Sequence, residues 1–392
     1  MAERPYRRSL GLFSLVSLGL GGTVGSGIFV APGVAAGLLG PAALFAWLLV
    51  GLSAGAVAFA LASVPTDGEN IPLFQPVDQV FGTVAADLLM GAYVLSSVFG
   101  CATICAGIGQ YLAFFGVPSG LLLPAEIAAV LIFLGINLVG VALSGAAENL
   151  LTVAKIVPLI VIALLLLPLV RPEHLQEARP ITLSTFVAAV LVVFWPYTGF
   201  EIGAIPVGEA RDRRVVRTAV LMVAGATLTL YLVLNLALVG SIGADTLAAS
   251  PAPVALAADH IMAGGSTVVG VIGIVAMLSA LNAYLLAGSR VLRALATRRS
   301  SVRVATLSAR GAPAAALLLC GGGCAALLLA SNRFELTASL SVVLVLAPYL
   351  ALSAAVWRSA HARSARAAGA AGALSTGLVL ALSLFTAVQA AG

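Results

Sequence analysis

Long uninterrupted runs of apolar residues alternate with short polar connections along almost the whole chain. A run of about 20 apolar residues is long enough to cross the hydrocarbon core of a bilayer as a helix. The pattern predicts eleven spans, with approximate bounds of 12–37, 41–62, 82–114, 121–143, 148–170, 183–208, 217–242, 264–296, 313–331, 336–357 and 370–390.

Composition agrees with this pattern. The 392 residues are 61% hydrophobic and 9% charged, and the mean hydropathy is +1.12. Soluble domains carry about 25% charged residues, so a soluble fold could not cover its surface with so few. The first apolar run is too long for a signal peptide and lacks an A-x-A cleavage site, so we expect it to be retained as a span. The sequence therefore predicts a polytopic protein surrounded by membrane lipid.

Basic residues predict the orientation of the spans. Four clusters fall on one side of an eleven-span arrangement: Arg4, Arg7 and Arg8; Arg211, Arg213, Arg214 and Arg217; Arg298, Arg299, Arg303 and Arg310; Arg358, Arg363 and Arg366. By the positive-inside rule, the N-terminus is cytoplasmic and the C-terminus extracytoplasmic in an inner (plasma) membrane. The net charge of +5 then reflects topology and anionic lipid, and no nucleic-acid partner is expected.

The middle of span 1 contains an unusual run of glycines. Residues 19–29 read GLGGTVGSGIF, and five of these eleven residues are glycine. Each glycine costs about 1 kcal/mol relative to alanine inside a helix, so the run predicts an interruption there. The alternative is close helix packing, because Gly21 and Gly25 form a G-x-x-x-G motif.

Span 6 contains a second predicted interruption, in FWPYTGFE at 194–201. Pro196 removes a backbone donor and disfavours helix at Trp195, and Gly199 loosens the chain again. Breaks at corresponding positions of two halves indicate the binding site of a transporter built from inverted repeats. We therefore predict repeats at 1–170 (spans 1–5) and 171–357 (spans 6–10), with an extra C-terminal span at 358–392.

Interrupted backbone has a specific chemical use in a membrane. Unpaired N–H and C=O groups cannot face lipid, so they must line a cavity where something else satisfies them. The helix that restarts near Ser26 would offer free N–H groups and a positive dipole to a carboxylate.

Three stretches resemble one known family. GLGGTVGSGIFVAPG, then FWPYTGFE followed by GEARD (208–212), and YLLAGSRVLRALA (284–296) resemble the first, sixth and eighth helices of the amino acid–polyamine–organocation (APC) superfamily. The resemblance implies an all-α, leucine-transporter-like fold of five plus five spans with broken spans 1 and 6. It also implies secondary active transport of amino acids by alternating access.

The resemblance extends to individual positions of the arginine/agmatine exchanger branch. It implies that Trp195 helps to occlude the substrate. The substrate-binding residues it suggests are Thr23, Val24, Gly25, Ser26, Gly27, Trp195, Tyr197, Thr198, Gly199, Glu201 and Tyr284. Two features depart from the family pattern: many members have twelve spans, and PTDGENIPLF (65–74) replaces a P-x-G-G-x-Y type run.

Lys155, within span 5, is the only lysine of the chain. A lysine shifts its pKa readily when desolvated, whereas an arginine stays charged. In proton-coupled members of the superfamily, a fifth-helix lysine occupies the place of a sodium ion, and Lys155 in TVAKIVP matches it. It would contact carbonyls between Gly21 and Val24, with Ser279 as a weaker partner. Alternatively, Lys155 snorkels to the cytoplasmic interface.

Other polar residues in the spans receive simpler interpretations. Glu201 could bind a substrate amine, relay a proton, or cap the half-helix that follows it. We expect Asp87 and Glu148 to be polar residues near the membrane interface. We expect Glu209 to form a solvated surface with neighbouring arginines; the alternative is a cytoplasmic gate. We expect the cysteine pairs to be packing residues rather than metal ligands: Cys101 with Cys105 and Cys320 with Cys324.

The leading hypothesis is proton-coupled symport of an amino acid, with the proton as coupling ion and no other cofactor. Exchange of an amino acid for its amine and polyamine transport are the alternatives. The chain lacks the catalytic motifs of membrane enzymes, and two breaks within one chain argue against a channel built from a symmetric oligomer. We expect a monomer or a homodimer.

Overall fold

The computed structural model of the protein describes residues 8–66, 70–139, 141–176 and 179–391. Arg4, Arg7 and residues 67–69 of the loop after span 2 lie outside these ranges. Within them the chain is helical, apart from turns and an isolated bridge between Leu10 and Ala210. The α-helices are α1 Leu12–Thr23, α2 Ser26–Leu39, α3 Ala43–Ala62, α4 Gln75–Phe81, α5 Thr83–Phe114, α6 Ser119–Val139, α7 Val141–Leu166, α8 Leu183–Tyr197, α9 Val215–Ile242, α10 Ala244–Ala248, α11 Pro253–Ala258, α12 Gly265–Arg298, α13 Val302–Ala305, α14 Ala314–Ala330, α15 Phe334–Ser359 and α16 Arg363–Ala391.

The helices reproduce the predicted order of spans. Nine segments of the described chain are long and apolar enough to cross a membrane. One of them, Leu12–Ala62, contains spans 1 and 2, and Ala314–Ala330 is a shorter apolar helix at the position of span 9. These segments account for the eleven predicted spans, and the all-α membrane fold is confirmed. The assignment of the two inverted repeats to 1–170 and 171–357 stays a prediction, as does the extra span at 358–392.

The boundary between spans 4 and 5 lies elsewhere than predicted. The helix of span 4 ends at Val139 and the helix of span 5 begins at Val141, whereas the hydropathy pattern placed these bounds at 143 and 148. Alanine and glutamate in SGAAEN (144–149) favour helix despite their modest hydropathy. The hydropathy pattern located the apolar part of span 5 correctly, but it missed the helical turns at the start of α7.

Helix α12 lies at the centre of the bundle. It packs against α1, α5, α6, α7 and α14, and the segment from Ser279 to Val291 is buried throughout. Large apolar side chains such as Leu88, Leu150 and Leu374 are exposed on the outside of the bundle. Such a surface is typical of contact with lipid rather than water. The core therefore places α1 and α12 side by side, with the exposed leucines as the lipid boundary.

The loop between spans 7 and 8 covers one end of span 1. Residues 243–263 form two short helices, α10 and α11, both packed against α2. Gly33 of α2 allows this contact, because a Cβ there would lie 2.8 Å from Leu247 O and 3.2 Å from Pro253 Cγ. An ion pair between Arg179 and Asp245 holds the same loop.

The opposite end of the bundle carries the arginine clusters that follow spans 6, 8 and 10, and we call it the arginine-rich face. Here Arg298 contacts Asp87 at 2.6 Å and Asp78 of α4 at 2.9 Å, while Arg299 contacts Asp87 at 2.7 Å. The hydrogen bond from Arg298 lowers the pKa of the Asp78 carboxyl below its usual 3.8. The expectation of Asp87 near the interface agrees with these contacts.

Candidate functional site

Span 1 is interrupted where its glycines cluster. Helix α1 ends at Thr23, and α2 begins at Ser26. Between them, Val24 (φ −92°, ψ 77°) and Gly25 (φ −131°, ψ −141°) leave the helical region. Among the described side chains, none caps the N-terminus of α2. The break therefore leaves N–H groups of the first turn of α2 available to another partner.

Span 6 is interrupted after Tyr197. Thr198 is extended (φ −73°, ψ 156°), and Gly199 adopts the left-handed conformation at φ +99°, which glycine tolerates best. The chain continues as a 3-10 helix over Phe200–Ala204 and a second one over Val207–Glu209. The predicted break is present, but the second half of span 6 is a tighter and more irregular helix than the sequence pattern implied.

The two breaks lie against each other. A Cβ on Gly199 would lie 2.7 Å from Gly22 C, and a Cβ on Gly27 would lie 2.6 Å from Pro196 Cα. The spans therefore approach backbone to backbone, which requires glycine at these contacts.

Tyr231 of α9 joins the two interrupted ends. Its hydroxyl lies 2.6 Å from Thr23 O and 3.2 Å from Pro196 O. Both carbonyls are in the last helical turn before a break, where carbonyls lose their helical partners. Sequence reasoning missed Tyr231, because nothing in span 7 marks which of its polar residues faces the breaks.

Aromatic and hydroxyl side chains cover the start of α2. Trp195 Nε1 donates to Ser26 Oγ at 3.2 Å, and the rings of Trp195 and Tyr284 are 5.5 Å apart. The Tyr284 hydroxyl in turn lies 2.8 Å from Thr198 Oγ1. These four predicted site residues are buried and form one cluster.

Tyr197 faces away from that cluster. Its hydroxyl donates to Trp47 O of α3 at 3.1 Å, and its ring packs against Trp47 and Tyr231. Residues two apart on a helix point in nearly opposite directions, so Trp195 and Tyr197 line different sides of α8. The role assigned to Tyr197 is the part of the substrate-site prediction that this geometry favours least.

Glu201 is a buried carboxylate with several donors. Its Oε1 accepts from Tyr93 at 2.9 Å, and its Oε2 accepts from Tyr349 and from Gly199 N at 3.1 Å. The last contact resembles a cap at the start of the 3-10 helix, which was one of the predicted alternatives. Tyr93 and Tyr349 were not identified from the sequence, because they come from spans 3 and 10.

Lys155 is buried beside the break in span 1. Its Nζ donates to Gly21 O at 3.0 Å and to Ser279 Oγ at 2.7 Å. The side chain is 0% exposed, so the snorkelling alternative is wrong. Gly21 lies in the last turn of α1, where a cation is favoured by the helix dipole. The structure therefore places both contacts where the sequence expected them.

Glu148 corrects one sequence prediction. We expected it near the interface, yet it is 0% exposed and accepts hydrogen bonds from Ser279 Oγ and, at 2.9 Å, from Asn282 Nδ2. A signal was available in the sequence: Glu148 and Lys155 are seven residues apart, which places them on one face of a helix. Ser279 connects the two side chains, since it accepts from Lys155 and donates to Glu148.

Glu209 corrects another prediction. Instead of forming a solvated face, it is buried and pairs with Arg290 of α12, with 3.0 Å between Glu209 Oε1 and Arg290 Nε. The neighbouring backbone binds the start of the chain, because Leu10 N donates to Glu209 O and Arg211 N donates to Leu10 O. These contacts join the end of span 6 to α12 and to the segment that precedes α1.

Both cysteine pairs lie in the interior of the bundle. All four are free and buried. Within the described residues, no group of three or more His, Cys, Asp or Glu side chains is arranged to hold a metal ion.

Comparison with known proteins identifies the family. The family model described as amino acid permease matches residues 10–391. The chain is 28% identical over 316 residues to the serine/threonine exchanger SteT of Bacillus subtilis, covering 76% of this chain and 70% of that protein. It is 27% identical to the inner membrane transport protein YbaT of Escherichia coli (74% and 70% covered). It is also 27% identical to the branched-chain amino acid permease BcaP of Lactococcus lactis (75% and 69%).

The names of these relatives are those of transporters rather than enzymes. The resemblance inferred from the first, sixth and eighth spans is confirmed. This chain belongs to the amino acid permease family of the APC superfamily and is a multi-pass membrane transporter.

Proposed function

We propose that this permease imports a neutral amino acid together with a proton, by alternating access of a site between the breaks of spans 1 and 6. The observation that carries the proposal is the meeting of three helix ends: the C-termini of α1 and α8 and the uncapped N-terminus of α2. Helix N-termini favour negative groups and helix C-termini favour positive groups. The three ends together complement a zwitterion.

The α-carboxylate of the substrate binds the N–H groups that begin at Ser26. Gly25 and Gly27 bring the start of α2 close to α12 and α8, because a Cβ on either glycine would clash with Ala280 or Pro196. The α-ammonium binds carbonyls at the ends of α1 and α8, where Tyr231 now contacts Thr23 O and Pro196 O. The indole of Trp195 donates to Ser26 Oγ at the start of α2, so entry of the substrate requires Trp195 to move.

The charges near the breaks favour a neutral side chain on the substrate. Glu201 already accepts hydrogen bonds from Tyr93, Tyr349 and Gly199 N, and Lys155 donates to Gly21 O and Ser279. Of the relatives named above, one is a serine/threonine exchanger and another a branched-chain amino acid permease. A polyamine would require several free carboxylates, so this alternative has less support.

Proton coupling is assigned to the buried contacts of Lys155 and Ser279. The Lys155 ammonium donates to a carbonyl of α1 only three residues before Val24. A change of charge in the buried network around Lys155 alters the electrostatics at the end of α1 and therefore its preferred position.

Exchange of amino acids without a proton is the second candidate. Its support is the similarity to SteT, whose name describes a serine/threonine exchanger. The two modes differ in one measurable property, because only symport concentrates the substrate against its gradient when a pH gradient is imposed.

Purified protein in proteoliposomes tests the proposal. We expect an imposed inward proton gradient to drive accumulation of labelled serine, threonine or leucine above the external concentration, and dissipating the gradient with a protonophore to abolish it. Saturable counterflow without accumulation would establish exchange and refute symport. Failure of every neutral amino acid to be transported would refute the substrate assignment.

A glycine variant tests the location of the site. Gly27→Ala places a Cβ 2.6 Å from Pro196 Cα, so we expect transport to fall at least tenfold. Gly91→Ala is the matched control, because a Cβ there meets no atom within 4 Å, and we expect it to retain transport. Equal activity of the two variants would place the substrate elsewhere.

A further inference from the structure

Glu148 lies within the network that holds Lys155. Its carboxylate accepts hydrogen bonds from Ser279, from Asn282 at 2.9 Å and from Thr152 at 3.3 Å. A Cβ on Gly21 would clash with Glu148 Oε1. Gly21 is therefore required for this carboxylate to reach α1.

In the described part of the chain, one opposite charge lies near Glu148. Among the described residues, the groups that act on its carboxyl are Lys155 and Thr152 of α7 and Ser279 and Asn282 of α12. Helix α6 contributes Asn137, which donates to Asn282 Oδ1 at 2.9 Å. Helix α1 contributes backbone, including the Ser17 carbonyl that accepts from Thr152. Lys155 is thus the charged partner of Glu148.

The charges determine which proton can be exchanged. The ammonium of Lys155 and the carboxylate of Glu148 together carry no net charge, which limits the cost of burying them. Loss of the Lys155 proton would leave a buried anion beside the C-terminal, negative end of α1, which is unfavourable. Gain of a proton by Glu148 would leave a cation there, which the same dipole favours.

We propose that Glu148 is the group that gains and loses the coupling proton, and that Lys155 remains an ammonium throughout the cycle. This inference rests on the proposed proton symport and identifies the residue that carries it out. The net charge of the pair alternates between zero and plus one. The site therefore differs from one in which a lysine alone takes up and releases the proton.

The step can be written with its atoms balanced. A hydronium ion from the side of higher proton concentration transfers a proton to a Glu148 carboxylate oxygen, forming an O–H bond and leaving water. The protonated oxygen becomes a donor and no longer accepts its hydrogen bond from Ser279 or Asn282. The contacts among Ser279, Lys155 and Gly21 O then rearrange. This rearrangement alters the hydrogen bonding of the carbonyl at the end of α1. Release of the proton to water on the other side reverses the step.

Substitution of the carboxyl tests the inference in proteoliposomes. Glu148→Gln removes the titratable group and keeps its shape. We expect gradient-driven accumulation to fall to the equilibrium ratio of about one, with exchange still measurable and independent of pH between 5 and 8. Glu126→Gln is the matched control: Glu126 is also buried and bound to an asparagine, Asn332, but lies outside this network. We expect the control to accumulate substrate like the original protein.

A second variant keeps the inference open to refutation if Glu148→Gln does not fold. Lys155→Arg has a permanent positive charge. We expect it to retain pH-dependent accumulation, reduced no more than about tenfold, because Glu148 still titrates. Accumulation by Glu148→Gln, or its complete loss in a folded Lys155→Arg variant, would identify Lys155 as the carrier and overturn the inference. If the unmodified protein shows no accumulation, the proposed symport itself fails.

Discussion

The ion pair between Glu209 and Arg290 makes a quantitative prediction about the arginine-rich face. The two side chains are 0% and 2% exposed, and the pair links the end of span 6 to α12. Removing one partner of a buried pair leaves an uncompensated charge and costs about 3–5 kcal/mol. Glu209→Gln leaves Arg290 in that condition, and Arg290→Met removes the paired charge from Glu209, with Arg293 as the remaining charge that acts on it.

The expected change in thermal stability follows from this energy. An unfolding entropy of about 2.1 cal/mol/K per residue over 392 residues gives about 0.8 kcal/mol/K. A loss of about 3–5 kcal/mol then lowers Tm by about 4–6 °C. Membrane helices keep much of their structure on unfolding in detergent, so the real entropy is smaller and the decrease in Tm is larger.

The four buried cysteines provide the assay, because a thiol-reactive fluorophore reacts with them only when the bundle opens. We expect the Tm of each single variant to fall by at least about 4 °C. The Tm of the double variant Glu209→Gln/Arg290→Met should be closer to that of the original protein than the Tm of either single variant. Asp245→Asn is the control, since it breaks an exposed pair with Arg179 worth about 0–1 kcal/mol. Single variants as stable as the control, or a double variant with the summed loss, would refute the reasoning.

Two further predictions follow from the site and the arginine-rich face. Tyr231→Phe leaves Thr23 O and Pro196 O without their hydroxyl donor, at a cost of about 1–3 kcal/mol; we expect it to slow transport at least fivefold. Tyr197→Phe, which loses only a contact to Trp47 O, is its control, and equal rates would contradict a role for Tyr231 at the breaks. Asp78→Asn should leave the pH midpoint of uptake between pH 5 and 8 unchanged. Arg298 holds the Asp78 pKa below 3.8, so its contact is present above that pH and is lost only on stronger acidification; a shifted midpoint would show that Asp78 takes part in coupling.

The breaks could be predicted from the sequence because their causes are local. Gly25 and Gly199 relax the backbone whatever the rest of the chain does. The expectation that Pro196 disfavours helix at Trp195 is wrong, because α8 continues through Pro196 and ends at Tyr197. The position of Lys155 was equally informative, since a single lysine in an apolar span needs carbonyl partners.

The residues that the sequence did not reveal act through contacts between distant spans. Tyr231 belongs to an ordinary apolar helix, and its significance comes from carbonyls on spans 1 and 6. The sequence shows both Glu209 and Arg290, but it does not show that they pair, because 81 residues separate them. The arginines that follow Glu209 in the sequence were therefore predicted as its partners. Glu148 was assigned by its distance from the end of the apolar run, and helix α7 begins earlier than hydropathy alone suggests.

The bridge between Leu10 and Ala210 has a consequence for how the transporter moves. It ties the first residues of span 1 to the last residues of span 6, while Gly22 and Gly199 touch at the other end of the same two segments. Two helical segments that are joined at both ends cannot move independently of each other. Helix α1 and the 3-10 segments of span 6 should therefore tilt together as one unit, and a force on either is transmitted to both.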